Sequence, residues 1–298
     1  MTARVVVGTA GWSYADWAGR VHPDPPPRGF DPLRHLARFL DGIEINSTFY
    51  RVPSPRTAAD WVRRTDGLPG FLFTAKVHRA FTHGDDAEGG PAAARAFLDA
   101  LAPLREAGRL GALLLQFPWS FRDSPEARRR LARLCEHFGS ERLAIEVRHA
   151  SFGTPDAEAY LAALGAGVAE VDMPESPTNL GPRRRVLGPF GYFRLHGRNA
   201  AAWFDPEAGR DRRFDYLYSA AEIDAVAARV RAAAPLLPLV FVITNNHFRG
   251  QGPANSIMLR ARLRGGPVPV PPELLRAFPS LAPDALPEPP GAQGTLFG

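Results

Sequence analysis

The sequence predicts an α/β fold, a single (β/α)8 TIM barrel followed by a Pro-rich C-terminal tail. Eight short apolar runs alternate with helix-forming segments, as a repeated strand–helix unit requires. A chain of 298 residues that is 45% hydrophobic can bury one large core. The runs lie at residues 5–9, 42–46, 71–78, 111–116, 143–148, 167–172, 192–196 and 239–245. Closing eight parallel strands into a barrel removes the unpaired sheet edges, which favours this arrangement.

The helical segments begin at recognisable signals. A capping side chain followed by proline suits the first helical turn, because the N–H that proline lacks would have no partner there. Segments such as EARRRLARLCEHF and AEIDAVAARVRAAA then place apolar residues three and four apart, which predicts amphipathic helices. The sixth helix, expected around Glu175 to Leu180, has the weakest pattern. The cap–proline pairs are Asp31–Pro32, Ser54–Pro55, Ser124–Pro125 and Thr154–Pro155.

An open, doubly wound sheet is the main alternative fold. The segment from Gly8 to Gly11, at the end of the first run, fits neither the dinucleotide-binding nor the P-loop glycine spacing. We therefore favour a barrel domain over residues 1–266. Residues 267–298 contain nine prolines and are expected to form an extended tail, with a short helix possible only at 272–278.

The composition narrows the class of protein. No apolar run approaches the roughly 20 residues of a membrane span, and the start MTARVVVGTAGW lacks the layout of a secretory signal. We therefore expect a cytoplasmic protein without a membrane partner. The single cysteine, Cys135, lies in a helical pattern, where a buried structural residue is expected. The net charge of +5 favours anionic partners.

The alternation of side chains along the strands predicts a site at their carboxyl ends. In residues 42–46, Ile43 and Ile45 share a face that would pack against helices, which turns Glu44 and Asn46 into the barrel. Active sites of such barrels lie at this end of the strands. The same argument turns Lys76, His78, Gln116, Glu146, Arg148, Asp172, Arg194, His196 and Asn245 inward.

These polar residues could form a structural salt-bridge network or a functional site. Apolar side chains fill barrel interiors well and buried charges are costly, so the functional interpretation is favoured. The predicted catalytic residues are Glu44, Lys76, Glu146, Asp172 and His196. The predicted substrate-binding residues are Asn46, Gln116, Arg148, Arg194, Arg198 and Asn245.

Several stretches of the chain also resemble a known family. They are GTAGWSYADW, EINSTFYRVPSPRTAADW, FTAKVHRAFTH, LLLQFPWSF, AIEVRHASF, YFRLHGRN and VITNNHFRGQGPANSIML. In order and spacing they are similar to the YecE-like family, a domain of unknown function. The resemblance runs from about Val5 to Leu263 and implies a barrel fold, but it supplies no established reaction. The family motifs fall on the inward-facing residues named above other than His78, and on Gly197.

The preferred hypothesis is an enzyme, of hydrolase or lyase type, that applies acid–base and electrostatic chemistry to an anionic, phosphate-bearing substrate. Arginine suits the bidentate capture of phosphate or carboxylate. A spare carboxylate or His196 would then move protons. Lys76 could instead form a Schiff base with a carbonyl substrate, although electrostatic binding is its preferred role. A non-catalytic binding module with the same charged pocket is a further hypothesis.

A divalent metal site is a rival interpretation of the same residues. Glu44, Glu146, Asp172 and His196 are ligand types used in barrel isomerases and in abasic-site endonucleases, whose fold the family is similar to. The cations on the same rim argue against a metal, and the chain has no HExxH motif. We therefore predict no cofactor.

The runner-up function is a nucleic-acid-processing protein. The loop GRNAAAWFDPEAGRDRRFDYLYS mixes arginines with aromatic residues, which suits a sugar phosphate or an unpaired base. The end of the chain, QGTLFG, resembles the peptide by which bacterial proteins dock on the replication sliding clamp. Leu296 and Phe297 would fill an apolar pocket and Gln293 would hydrogen bond at its edge. A glycine stands where the common peptide has leucine.

Overall fold

The strands form a parallel barrel in the computed structural model, which describes residues 3–84, 89–181, 185–205 and 207–286. Within these ranges nine strands form one sheet in the order β6-β5-β4-β3-β2-β1-β9-β8-β7. The strands are β1 (Arg4–Ala10), β2 (Gly42–Ile45), β3 (Leu72–Lys76), β4 (Leu110–Gln116), β5 (Leu143–Glu146), β6 (Gly167–Val168), β7 (Glu170–Asp172), β8 (Gly191–Leu195) and β9 (Leu239–Thr244). The predicted α/β barrel class is confirmed.

The sixth predicted strand is divided at Ala169. Its first half, β6, pairs with β5, and its second half, β7, pairs with β8. The two ends of the sheet are therefore consecutive pieces of one strand, and they complete the ring. The amide of Ala169 donates to the carbonyl of Ile145 at 2.8 Å, which keeps the division close to β5.

The helices surround the barrel. They are α1 (Pro32–Ala37), α2 (Pro55–Arg64), α3 (Arg79–Thr82), α4 (Pro91–Ala100), α5 (Ala102–Glu106), α6 (Pro125–Phe138), α7 (Pro155–Ala163), α8 (Ala200–Trp203), α9 (Arg210–Arg213), α10 (Ala220–Ala233), α11 (Gln251–Arg264) and α12 (Pro272–Ala277). Short 3-10 helices span Ala15–Trp17, Ser47–Phe49, Ala150–Gly153, Ala234–Leu236, Phe248–Gly250 and Pro279–Asp284. In the described part of the chain, no helix combines the length and apolar character that crossing a bilayer requires.

The four predicted helix starts agree with the structure. The side chains of Asp31, Ser54, Ser124 and Thr154 each accept a backbone N–H from the first turn of the helix that follows. The weak sixth helix is absent from the described residues between β7 and β8, which contain turns, bends, irregular backbone and an isolated bridge from Asn179 to His149.

Two apolar layers hold the barrel together. The outer layer lies between strands and helices, and the inner layer fills the barrel with residues that include Leu114, Tyr192 and Phe241. Glycine makes room where strands or rings approach closely. A Cβ at Gly111 would lie 2.6 Å from the ring of Phe241, and one at Gly8 would lie 2.1 Å from a backbone oxygen. The packed interior confines a ligand site to the ends of the barrel.

The short helix expected at 272–278 is present as α12, whereas the segments before and after it within residues 267–286 are paired and packed instead of extended. Strand β10 (Val268–Pro269) precedes α12 in the chain and β11 (Ala285–Leu286) follows it, and the two strands pair in parallel. Leu274 and Leu281 are buried in the same core as the barrel helices, and this apolar burial offsets the cost of ordering a Pro-rich segment. The predicted docking residues Gln293, Leu296 and Phe297 lie outside the described residues.

We predict that Leu274→Ala destabilises the whole domain by about 2–5 kcal/mol, because it removes a fully buried side chain. The matched control is Leu236→Ala, whose side chain is 82% exposed and whose truncation should change stability by less than about 0.5 kcal/mol. Urea unfolding followed by circular dichroism measures both. Equal midpoints would show that residues 267–286 add nothing to the core.

Candidate active site at the barrel mouth

A cavity of about 780 Å³ opens at the carboxyl ends of the strands. We call it the mouth cavity. Five of the predicted site residues line it, and each stands at or just after the end of its strand: Asn46, Lys76, Gln116, Arg148 and Asn245. The rest of the described lining comes from the loops and short helices that follow the strands. The position therefore agrees with the end of a parallel barrel at which active sites are built.

A buried ion cluster lies beneath this cavity, with Arg194 of β8 at its centre. The Arg194 guanidinium donates to Glu44 through Nε at 3.1 Å and through Nη2 at 2.6 Å. Its Nη1 donates to Glu146, so one cation bridges two carboxylates. All three side chains are fully buried. Isolated burial of any one charge would cost several kcal/mol, and the forked geometry supplies the compensating bonds.

Tyr192 and Thr74 support the cluster from below. The Tyr192 hydroxyl lies 2.8 Å from Glu44 Oε2, to which it donates, and 2.9 Å from the Thr74 hydroxyl. Burial, followed by the charge of Glu44, raises the pKa of Tyr192 well above its usual value. The phenol therefore remains a neutral donor to the Glu44 carboxylate.

Glu146 connects the cluster to the cavity. Its Oε1 accepts from Arg148 Nε at 2.7 Å, and Arg148 also lines the mouth cavity. Burial alone would raise the pKa of Glu146, but Arg194 and Arg148 overcome it and hold that pKa well below its usual value. Glu146 is therefore a fixed anion at neutral pH, unsuited to moving protons.

His196 is a neutral member of the cluster. The Asn245 amide nitrogen lies 2.9 Å from His196 Nδ1, to which it can only donate, so the ring proton belongs on Nε2. Nε2 faces Glu146 Oε1 at 3.4 Å. Burial lowers the pKa of His196 to about 4, because the attraction of Glu146 does not compensate for lost hydration.

Lys76 has no carboxylate partner among the described residues. Its Nζ lies 4.0 Å from the centre of the Phe49 ring, a cation–π distance. The nearby carboxylates of Glu44 and Glu146 are bound by arginines instead. Burial, followed by repulsion from Arg194, lowers the pKa of Lys76 to about 7. Both the ammonium and the free amine are therefore populated at neutral pH.

The lining of the mouth cavity is cationic and aromatic. Lys76, Arg148 and Arg213 supply the charge, and the lining contributed by described residues contains no Asp or Glu. Three of the aromatic rings at the mouth are exposed to solvent: Tyr50 by 60%, Trp119 by 43% and Phe204 by 51%. Large exposed rings around a concave site are typical of binding surfaces.

Asp172 and Arg198 do not join this site. Asp172 accepts from Arg198 at 2.6 and 2.8 Å and from the Tyr218 hydroxyl at 2.7 Å, whereas its neighbour Val171 packs on the inner layer. The prediction that Asp172 points inward is therefore corrected. The prediction assumed that the apolar residues of a strand face outward. In β7 the outward residue is Asp172, because Arg198 and Tyr218 bind its carboxylate there. His78, also predicted inward, caps α3 instead.

The structure brings together the other predicted residues. Glu44, Glu146, Arg194 and His196 form the buried cluster, and Asn46, Lys76, Gln116, Arg148 and Asn245 line the cavity above it. In the described part of the chain, no three His, Cys, Asp or Glu side chains are grouped so that they could hold a metal ion.

Strand alternation could also have found two residues that sequence reasoning missed. Thr74 and Tyr192 each precede a predicted residue by two positions and therefore share its face. The rings of Phe49, Tyr50 and Trp119 gave no such signal, because they lie beyond the strand ends, in a short 3-10 helix or in turns, where side chains do not alternate. The long loop after β8, singled out for its arginines and aromatics, does supply Trp203, Phe204, Arg213 and Phe214 to the lining.

The fold and the site together define an α/β barrel with a charged, aromatic mouth cavity. The model of the family described as "Protein of unknown function DUF72" matches residues 6–276, and the chain belongs to this family. The predicted YecE-like resemblance is thereby confirmed. The match extends beyond Gly266 and includes most of α12, in agreement with the packing of that segment.

Named relatives support the same assignment. The chain is 24% identical over 265 residues to the UPF0759 protein YunF of Bacillus subtilis, with 84% of this chain and 92% of YunF covered. It is 29% identical over 154 residues to the UPF0759 protein YecE of Escherichia coli, with 50% of each covered.

Solved structures of the family share the fold. A DUF72 family protein of Thermotoga maritima is 31% identical with a TM-score of 0.76, and the alignment covers 88% of this chain and 99% of that one. A DUF72 family protein of Enterococcus faecalis is 26% identical with a TM-score of 0.77, and the alignment covers 87% and 95%.

We predict that Glu146→Gln destabilises the protein by about 3–5 kcal/mol, because it leaves buried arginine charge uncompensated. Glu126→Gln is the matched control. Glu126 is 74% exposed on α6, so its change should stay within about 0.5 kcal/mol. Chemical unfolding at pH 7 measures both, and similar values for the two variants would contradict the role of the buried cluster.

We also predict that His196 makes the protein acid-sensitive. Its folded pKa of about 4 lies below the unfolded value of 6.5, so the unfolded chain binds the proton first. Stability is then lost as pH falls from about 6.5 towards 4. Relative to pH 8, wild type should lose roughly 2 to 3 kcal/mol more than His196→Asn by pH 4.5. Unfolding curves at both pH values measure this difference, and parallel losses would refute it.

Proposed function

We propose that the protein is an enzyme that binds an anionic, phosphate-bearing substrate in the mouth cavity and transfers a proton through Lys76. The observation that carries the proposal is the arrangement of charge. The described lining presents Lys76, Arg148 and Arg213 without a carboxylate, while Glu44 and Glu146 are sealed beneath it by Arg194. A cavity of this kind attracts anions into a partly desolvated space, where electrostatic binding is strong.

Arg148 is the proposed anchor for the anion. Its contact with Glu146 fixes the orientation of the guanidinium, and the side chain remains partly exposed in the cavity. A guanidinium held from one side retains donors for a phosphate or carboxylate. The amides of Asn46, Gln116 and Asn245 stand beside it in the lining and would fix the orientation of the substrate.

Lys76 is the proposed proton-transfer group. A pKa of about 7 is close to the optimum for a general acid or base at neutral pH. Glu44, Glu146 and His196 were predicted to be catalytic, but they lie outside the described lining and are fully buried. We therefore assign them the role of holding Arg148, Arg194 and Asn245 in place.

A second candidate function is nucleic-acid processing. The exposed rings of Tyr50, Trp119 and Phe204 favour it, because unpaired bases stack on such surfaces. The same rings also suit a small substrate that joins a planar group to a phosphate. Binding to a single-stranded oligonucleotide that weakens steeply with salt would support the second candidate, whereas binding limited to small phosphates would support the first.

We predict that Arg148→Gln weakens phosphate-ester binding by at least about tenfold, the cost of a lost charged hydrogen bond. Thermal shifts and calorimetry with inorganic phosphate, sugar phosphates and nucleoside monophosphates measure the effect. Arg129→Gln is the control, because Arg129 is 62% exposed on α6, outside the cavity lining. Equal affinities in wild type and Arg148→Gln would contradict the proposal that Arg148 binds the anionic group.

Turnover distinguishes an enzyme from a binding module. Phosphorus and proton spectra of the same phosphate mixture, incubated with wild type, should change with time. Lys76→Arg keeps the positive charge but cannot exchange a proton, so we expect its rate to fall by at least about a hundredfold. Binding of the mixture without any spectral change would instead identify a binding module.

A further inference from the structure

The chain contains 35 arginines and one lysine, and that lysine is Lys76. Wherever this protein needs only a positive charge, in surface ion pairs and in the buried cluster alike, it uses arginine. The single amine side chain stands at the end of β3, in the lining of the mouth cavity. The use of lysine at this one position therefore indicates a function that arginine cannot perform.

Lysine and arginine differ chemically in one decisive respect. The guanidinium stays protonated in proteins, whereas the amine of lysine can lose its proton and expose a nucleophilic lone pair. We propose that Lys76 acts as a covalent nucleophile that forms an imine with the carbonyl carbon of an anionic substrate. This inference rests on the proposed anion-binding function of the same cavity and names a substrate class, a phosphate or carboxylate that also carries an aldehyde or ketone.

The surroundings of Lys76 keep its amine available. Among the described residues, the carboxylates that could pair with it, Glu44 and Glu146, are bound by Arg194 and Arg148. An ion pair would hold Nζ as ammonium, and no carboxylate in the described part of the chain forms one with Lys76. The Phe49 ring, whose centre lies 4.0 Å from Nζ, gives the ammonium form a cation–π contact but takes no proton from the amine. Desolvation and cationic neighbours are the conditions that activate a lysine nucleophile, and the lowered pKa of Lys76 agrees with them.

The lining can place a substrate for this reaction. Arg148 lines the same cavity as Lys76 and presents its guanidinium there, so an anionic group bound to it leaves the carbonyl end of a small molecule free to approach Nζ. The imine that forms would remain next to the cations of the cavity, which hold the anionic end in place.

The step is chemically balanced without another reactant. The neutral Nζ attacks the carbonyl carbon and forms a C–N bond. The two protons of the amine pass to the former carbonyl oxygen, which departs as water and leaves a C=N bond. One further proton on nitrogen gives the iminium, which draws electrons from the adjacent carbon and favours cleavage of a C–H or C–C bond there. Hydrolysis reverses the first step and frees the amine.

The test uses pyridoxal 5′-phosphate, an aldehyde that also carries phosphate, followed by reduction with sodium borohydride. We expect one stable adduct per native chain, located by mass spectrometry on the peptide that contains Lys76. Peptide mapping separates it from any label on the terminal amine. Lys76→Arg is the matched control and should give no side-chain adduct. The labelling rate of native protein should reach half its maximum near pH 7, against about 10.4 for an ordinary lysine.

Two outcomes would overturn the inference. The first is a native protein whose Lys76 is not labelled although the urea-unfolded chain is. The second is labelling that rises only above about pH 9, as for an ordinary lysine.

Comparison with unphosphorylated pyridoxal separates this inference from the proposed function. Adducts that form equally well without the phosphate, and that inorganic phosphate does not suppress, would contradict the anion site and leave the amine chemistry standing. Phosphate binding to a Lys76 that does not react would leave the anion site standing and refute the imine.

Discussion

The buried guanidinium of Arg194 is the group on which the carboxyl end of the barrel depends. It binds Glu44 and Glu146 together, and none of the three charges would be tolerated there alone. Because the residues come from β8, β2 and β5, their pairing constrains strands that are not neighbours in the sheet. Tyr192 completes the hydrogen bonding of Glu44 from within the barrel. The cluster therefore sets the positions of the strands as well as the charge beneath the cavity.

The same pairing determines which groups face a ligand. Arg194 and Arg148 bind the carboxylates, so the described lining of the cavity presents cations, amides and aromatic rings. Lys76 remains beside an aromatic ring instead of an acid. The reactivity proposed for Lys76 thus follows from the placement of charges that never touch the ligand. A barrel packed with Phe241 and Tyr192 closes the cavity from below and limits its exposure to water.

Alternation along a strand predicted the site where one side of the strand is wholly apolar. Around Glu44 the flanking isoleucines do face the helices, and the prediction agrees with the structure. Around Asp172 it fails, because the outer face of β7 is polar: Glu170 pairs there with Arg229, and Asp172 pairs with Arg198. Where charged and apolar residues alternate along a strand, the alternation alone is compatible with the charged side chains on either face. The residues of other segments that pack against the strand decide which face a charged side chain takes, and the strand alone does not contain that information.

The sequence by itself determined the barrel class, the helix caps and five polar residues that line the mouth cavity, because periodicity and capping act over a few neighbouring positions. Only the tertiary structure decided that Arg198 binds Asp172 outside the cavity, that residues 267–286 pack on the barrel, and that Tyr50, Trp119 and Phe204 meet at one opening. These outcomes depend on contacts between segments far apart in the chain. Their energies come from burial and charge pairing in three dimensions, which local patterns do not encode.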